Sequence, residues 1–275
     1  MTDIAIKPSR SQSYSSRQLL NHSAKLWFTV TVIGQVAFVA YIAAFYGGTA
    51  LKGDFNAWDG RMFNGFISGD ILGNLNIILH ITLAFIITAS GPVQFIPTIR
   101  NRFRTFHRWN GRVYATSAII ISLGALYLTW TRNGIGEPLN DIGITLNGIA
   151  ILTFATLTAR TAMARDFKSH QRWALRLFLA VSGVWYMRLG YGLYAFLSGG
   201  ASPGSSQMLD GPFDIALSFA ITLVPLACLE LFFRSRDSKN PISQAFMAGG
   251  VVVLALATAI GSYMAAQIFW LSSFS

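Results

Sequence analysis

Two histidines in this sequence open apolar stretches in the same way. Phe103-Arg104-Thr105-Phe106-His107-Arg108-Trp109-Asn110-Gly111-Arg112-Val113-Tyr114 and Phe167-Lys168-Ser169-His170-Gln171-Arg172-Trp173-Ala174-Leu175-Arg176-Leu177-Phe178 superpose on a shift of 64 residues. Phe, Arg, Trp and Arg coincide, Arg/Lys, Thr/Ser, Val/Leu and Tyr/Phe are close replacements, and His107 and His170 fall one position apart. A pair of imidazoles at two neighbouring helix starts is axial-ligand chemistry, able to hold a haem iron. Arg and Trp at a helix start also anchor a helix at a membrane boundary, so the basic and aromatic part of the repeat has a purely structural reading. The histidines are what that reading leaves over.

A third histidine and one arginine lie deeper in apolar sequence. Arg188 is the only Arg, Lys, Asp or Glu well inside such a run, 12 residues past Arg176, or about 18 Å along a helix. His80 follows Asp70 by ten residues on a helix of opposite direction. Both come out about 15 Å from the same end of their helices, so they can share one depth. A guanidinium in hydrocarbon must settle on carbonyls, polar neutral side chains such as Asn76 or Asn147, water, or an anionic ligand. His80, Asn147 and Arg188 therefore form a candidate binding pocket, while in a redox reading Arg188 is the counter-charge of a site lined by Trp185 and Tyr186. Structural pairing of Arg188 with main-chain carbonyls is the competing reading. Gln94 belongs to Gly91-Pro92-Val93-Gln94-Phe95, a segment that interrupts regular helix and frees carbonyls.

The elements that must position these residues follow from composition. The chain has 275 residues, 53% hydrophobic and 12% charged, where a soluble domain carries roughly 25% charged residues. Its mean hydropathy is +0.48. Seven segments reach the roughly 20 apolar residues that a membrane-crossing helix needs: about Leu26 to Phe45, Ile71 to Phe95, Val113 to Trp130, Ile142 to Ala159, Leu175 to Leu197, Phe213 to Phe233 (with Pro225 inside) and Phe246 to Leu271. The expected architecture is all-α: a polytopic seven-helix transmembrane bundle over residues 26–275 with core helices about 71–197, after a flexible cytoplasmic tail over residues 1–25.

Of the 21 Lys and Arg, seventeen fall in the tail and in the second, fourth and sixth connections; only Lys52, Arg61 and Arg132 lie on the opposite side, among Asp54, Asp59, Asp70, Glu137, Asp141, Asp210 and Asp214. Basic loops stay cytoplasmic, which predicts an N-terminus inside and a C-terminus outside. The formal charge of +10 then reflects topology and attraction to anionic lipid, and a nucleic-acid partner is not expected. Trp27, Trp109 and Trp173 at one boundary and Trp58, Trp130 and Trp270 at the other suit an aromatic belt. Cys228, the single cysteine, excludes an intramolecular disulfide, a thiolate metal cluster and a C-x-x-C-H haem attachment.

The run Gly91-Pro92-Val93-Gln94-Phe95, then His107-Arg108-Trp109-Asn110-Gly111-Arg112-Val113-Tyr114, then His170-Gln171-Arg172-Trp173, with His80 upstream and Arg188 downstream, resembles a bacterial family of predicted membrane proteins of unknown function. That resemblance implies a topology over roughly residues 70–195. His107-Arg108-Trp109-Asn110-Gly111 is also similar to the His-x-Trp-x-Gly stretch of cytochrome b561-like proteins, which implies haem b held between helices. Two bis-histidine haems need four ligands, and only His80, His107 and His170 lie near the spans. Two functional classes follow. One is haem b or quinone-linked electron transfer in the bacterial inner membrane, with His107 and His170 as iron ligands, Arg188 as a counter-charge for a propionate or a quinone oxygen, and a quinone or redox protein as partner. The other is a transporter or binding protein for a small anionic or amphipathic molecule, using His80, Asn147 and Arg188. No nucleophile–base arrangement points to hydrolysis.

Overall fold

The computed structural model describes residues 10–58, 65–132, 137–200, 202–206 and 208–274, and all regular structure among them is helical. The helices are α1 (Arg10–Tyr41), the short α2 (Gly48–Leu51), α3 (Ile71–Ser90), α4 (Pro97–Arg102), α5 (Arg104–Thr131), α6 (Pro138–Met163), α7 (Phe167–Val181), α8 (Gly183–Leu197), α9 (Pro212–Asp237) and α10 (Pro241–Ala265). Proline at the first position, where no amide hydrogen is needed, starts α4, α6, α9 and α10. Asp70 caps α3 by accepting from the Gly73 amide at 2.9 Å. α1 packs on α10, α10 on α8, α6 on both α5 and α7, and α3 on α5.

Among the described residues, six helical segments are long and apolar enough to cross a membrane: Ser15–Leu51, Ile71–Phe95, Arg104–Thr131, Pro138–Met163, Pro212–Asp237 and Pro241–Ser273. The chain is a multi-pass membrane protein. The span expected over Leu175–Leu197 differs, being two helices of 15 residues, α7 and α8, joined at Ser182. Side chains take over at the joint. The Ser182 hydroxyl donates to the Phe178 carbonyl at 2.8 Å, Gln35 Nε2 donates to Ser182 Oγ at 3.0 Å, and Asn147 Nδ2 donates to the Ala180 carbonyl at 3.0 Å. Such partners are what hydrocarbon requires of an interrupted helix.

The sequence placed a tail up to residue 25, but the chain is helical from Arg10. Leu20 is fully buried, and Ser16 donates to Gln244 of α10 at 3.2 Å, so this stretch packs as the first part of α1. Residues 1–9, including Lys7, lie outside the described residues, as do Asp59 and Arg61. Trp58 and Trp270 also depart from the aromatic belt. π-helical turns at Ile42–Gly47 and Ala266–Trp270 bring rings of the two chain ends together. Trp270 stacks on Phe38 and Tyr41 with centroids 5.5 and 6.3 Å apart, while Trp58 meets Tyr46 edge-on and donates to Thr49 Oγ1 at 2.8 Å. Both indoles are buried among rings. Trp109 and Trp130 remain exposed.

Charged residues lock the two ends of the bundle. At the acidic end Arg132 donates from Nε and Nη2 to Asp70 Oδ2 at 2.8 and 2.6 Å, from Nη1 to the Gly65 carbonyl at 2.8 Å, and from Nη2 to Asn74 Oδ1 at 3.0 Å. Asp214 there accepts from Tyr191, Ser205 and the amides of Ser206 and Gly211. At the basic end Arg176 donates to Glu230 at 2.8 Å and Arg172 pairs with Asp237. The guanidiniums of Arg172, Arg176 and Arg236 lie 4.8, 5.3 and 5.1 Å from the Phe233 ring centroid, tying α7 to α9.

Candidate functional site

The repeated motif does open two helices. α5 begins at Arg104 and α7 at Phe167, the latter capped by Asp166, which accepts from the Ser169 amide at 3.1 Å. Ser169, through its side chain and its amide, holds the Asp166 carboxyl below the usual carboxylate range. His170 sits in the first turn that this cap sets, and His107 in the first turn of α5, where its amide donates to the Phe103 carbonyl at 2.9 Å. His107 and His170 lie within electrostatic reach of each other at the basic end, with Arg100 also near His107. Both are half-buried. His170 Nδ1 lies 3.0 Å from the Thr158 carbonyl of α6. A carbonyl accepts only, so Nδ1 carries the hydrogen and donates, which leaves Nε2 with its lone pair. His107 Nδ1 is buried and meets no hydrogen-bond partner.

The interrupted end of α3 faces this part of α5. Pro92–Phe95 is a 3₁₀ turn. Asn110 Nδ2 donates to the Ser90 carbonyl at 3.2 Å, and a Cβ placed on Gly111 would lie 3.5 Å from Gln94 Oε1. His107, Gly111 and Tyr114 recur at helical spacing and share one face of α5. Ser90 and Gln94 thus lie against the face of α5 that carries His107, and Ser90 Oγ and Gln94 Nε2 are likewise buried without a partner. A Cβ on Gly91 would stand 3.0 Å from Tyr114 and 3.3 Å from Phe178, whose ring meets Phe95 edge-on at 5.2 Å. Ser90 and Asn110 were not singled out from sequence. The legible signal was their position, one residue before Gly91-Pro92 and three after His107.

His80 and Arg188 also come within electrostatic reach of each other. His80 Nδ1 is buried and unpartnered. Arg188 Nη1 donates to the Val184 carbonyl of its own helix at 3.2 Å, and its guanidinium lies 5.1 Å from the Phe38 ring centroid. Among the described residues no carboxylate pairs with it. Arg188 follows His170 across the Ser182 joint, on α8 rather than in the first turn of α7. The Asn147 side chain is engaged elsewhere through its amide hydrogens. Its Nδ2 donates to Ala180 and, at 2.8 Å, to Thr222 Oγ1, bracing the joint at Ser182. Trp185 and Tyr186 are in contact at 5.2 Å, and both carry buried polar atoms without partners.

Among the described residues no cluster of three or more His, Cys, Asp or Glu is arranged to hold a metal ion. No curated protein and no solved structure matches the chain. A family described as "Predicted membrane protein (DUF2306)" matches residues 77–206. This stretch takes in His80, His107, Asn147, His170 and Arg188, and leaves out the whole of α1, α9 and α10. Over the part that holds the candidate residues, the chain is therefore similar to a family of predicted membrane proteins.

Proposed function

We propose that this membrane protein transfers electrons, holding a haem b iron between His107 and His170 and exchanging electrons with a quinone or a redox partner protein in the bacterial inner membrane. The observation that carries the reading is the setting of the two imidazoles. They open different helices at the basic end of the bundle, near enough for each to feel the other's charge, and His170 donates its Nδ1 hydrogen to a main-chain carbonyl. That outer bond orients an imidazole and raises the basicity of its other nitrogen toward a metal. Two imidazoles fit the axial chemistry of an iron. Bound there, haem supplies one-electron chemistry, while the chain holds Nε2 of His170 and anchors both rings at the first turns of α5 and α7. The reading counts α7 and α8 as a seventh crossing, with the N-terminus cytoplasmic and the C-terminus external by the distribution of Lys and Arg.

The test is an absorption spectrum of the detergent-purified protein, oxidised and dithionite-reduced. A Soret band that shifts on reduction is expected, and a colourless protein overturns the reading. A second reading, a pocket for a small anionic or amphipathic molecule at His80 and Arg188, is favoured by a half-buried guanidinium inside an apolar helix that no described carboxylate pairs. It predicts that Arg188→Lys inserts normally but loses thermal stabilisation by added anions, because a point charge cannot reproduce the planar fork.

A further inference from the structure

Ser90 Oγ, Gln94 Nε2 and His107 Nδ1 are three buried polar atoms without partners, and the contacts of Ser90 with Asn110 and of Gln94 with Gly111 set the interruption at Gly91-Pro92 against the face of α5 that carries His107. In hydrocarbon each such group is costly, and buried polar groups in native structures are almost all hydrogen-bonded. All three can donate, and none of the three belongs to Arg or Lys. Neutral donors match a neutral acceptor better than a phosphate or carboxylate, for which charged donors are the stronger partners. The rings of Tyr114, Phe178 and Phe95 stand on the apolar side of the same interruption.

We propose that the interrupted end of α3 and the first two turns of α5 bind the carbonyl headgroup of a lipid-soluble quinone, with Ser90, Gln94 and His107 donating to its oxygens and the rings of Phe95, Tyr114 and Phe178 flanking it. The proposal rests on the electron-transfer reading and supplies that reading with a partner site. It differs from a quinone site at Arg188, which lies on α8 beyond the Ser182 joint. His107 can serve both roles, since Nδ1 donates to the quinone and Nε2 is left for the iron.

A carbonyl acceptor is also present in the ester of a phospholipid, so the experiment separates the two sources. Decylubiquinone is titrated into the full-length protein in dodecyl maltoside, with binding followed by equilibrium dialysis and by the infrared carbonyl stretch of the bound quinone. Saturable binding and a downshifted carbonyl band are expected. Gln94→Leu and His107→Leu should each weaken binding about tenfold and Ser90→Ala about threefold, the scale of one neutral hydrogen bond. Variants are compared only where helicity and elution volume match the wild type, and the wild-type carbonyl band stands as a readout if a variant fails to fold. No saturable binding, an unshifted band, or affinity unchanged in folded Gln94→Leu would overturn the site. Displacement of the quinone by diester phospholipid but not by its ether analogue would assign the donors to lipid and overturn it as well. Quinone binding by a colourless protein would support this site while removing the haem reading, and a Soret band without quinone binding would do the reverse.

Discussion

Arg132 commits its guanidinium to Asp70, Asn74 and the Gly65 carbonyl, whereas Arg188 has one carbonyl of its own helix and the face of Phe38. Sequence singled out Arg188 because it interrupts an apolar run. Arg132 was passed over because it sits at a helix end, where a charge costs nothing until a partner strand of chain folds over it. The Asp70 carboxyl is held below its ordinary value of 3.8, first by the Gly73 amide and then by Arg132. A depressed folded value contributes stability that is fully present above the unfolded value and is lost as pH falls through the folded one. Thermal unfolding should therefore lose stability as pH falls below about 4, and Asp70→Asn should be less stable at neutral pH with a flatter loss in acid. Unfolding midpoints across pH 3 to 7 check this; parallel curves for the variant and the wild type would contradict it.

Helix existence was legible from apolar run length, and helix interruption was not. The run from Leu175 to Leu197 reads as one span because Ser182-Gly183 carries no strong breaker, yet Ser182, Gln35 and Asn147 together divide it. That outcome depends on partners from α1 and α6, which no local pattern reveals. Asn147→Leu removes the side-chain donor to the Ala180 carbonyl, which keeps the Ser182 amide, and should lower stability by about 0.5–1.5 kcal/mol, the scale of one neutral hydrogen bond. Denaturant unfolding in detergent measures it. Gly192 tests the adjoining contact, since a Cβ there would stand 2.7 Å from the Gly261 carbonyl of α10. Gly192→Val should overpack the α8–α10 contact and cost on the order of 1–3 kcal/mol, and an unchanged unfolding curve would show that the two helices can separate freely. The π-helical turns of α1 and α10 were equally hidden, and with them the burial of Trp58 and Trp270.

At the scale of the molecule, charge placement is the most readable property of the chain, because loop basicity is written in local composition. It divides the bundle into a basic end with His107 and His170 and an acidic end locked by Arg132 and Asp214. Reporter fusions after Phe106 and after Lys168 should read as cytoplasmic and a fusion at the C-terminus as external; a cytoplasmic C-terminus would mean that α7 and α8 do not complete a crossing. That His107 and His170 fall at one end of the bundle was legible as a repeat of 64 residues, each motif opening a helix, α5 or α7, that packs on α6. The unpartnered donors at Ser90 and Gln94 were not legible, because satisfaction is a property of the packed structure. The central claim, that these two imidazoles ligate one iron, is tested most directly by the oxidised and reduced absorption spectra of His107→Ala and His170→Ala beside the wild type. Loss or a clear shift of the Soret band in each folded variant is the predicted result, and spectra identical to the wild type in either would contradict the assignment.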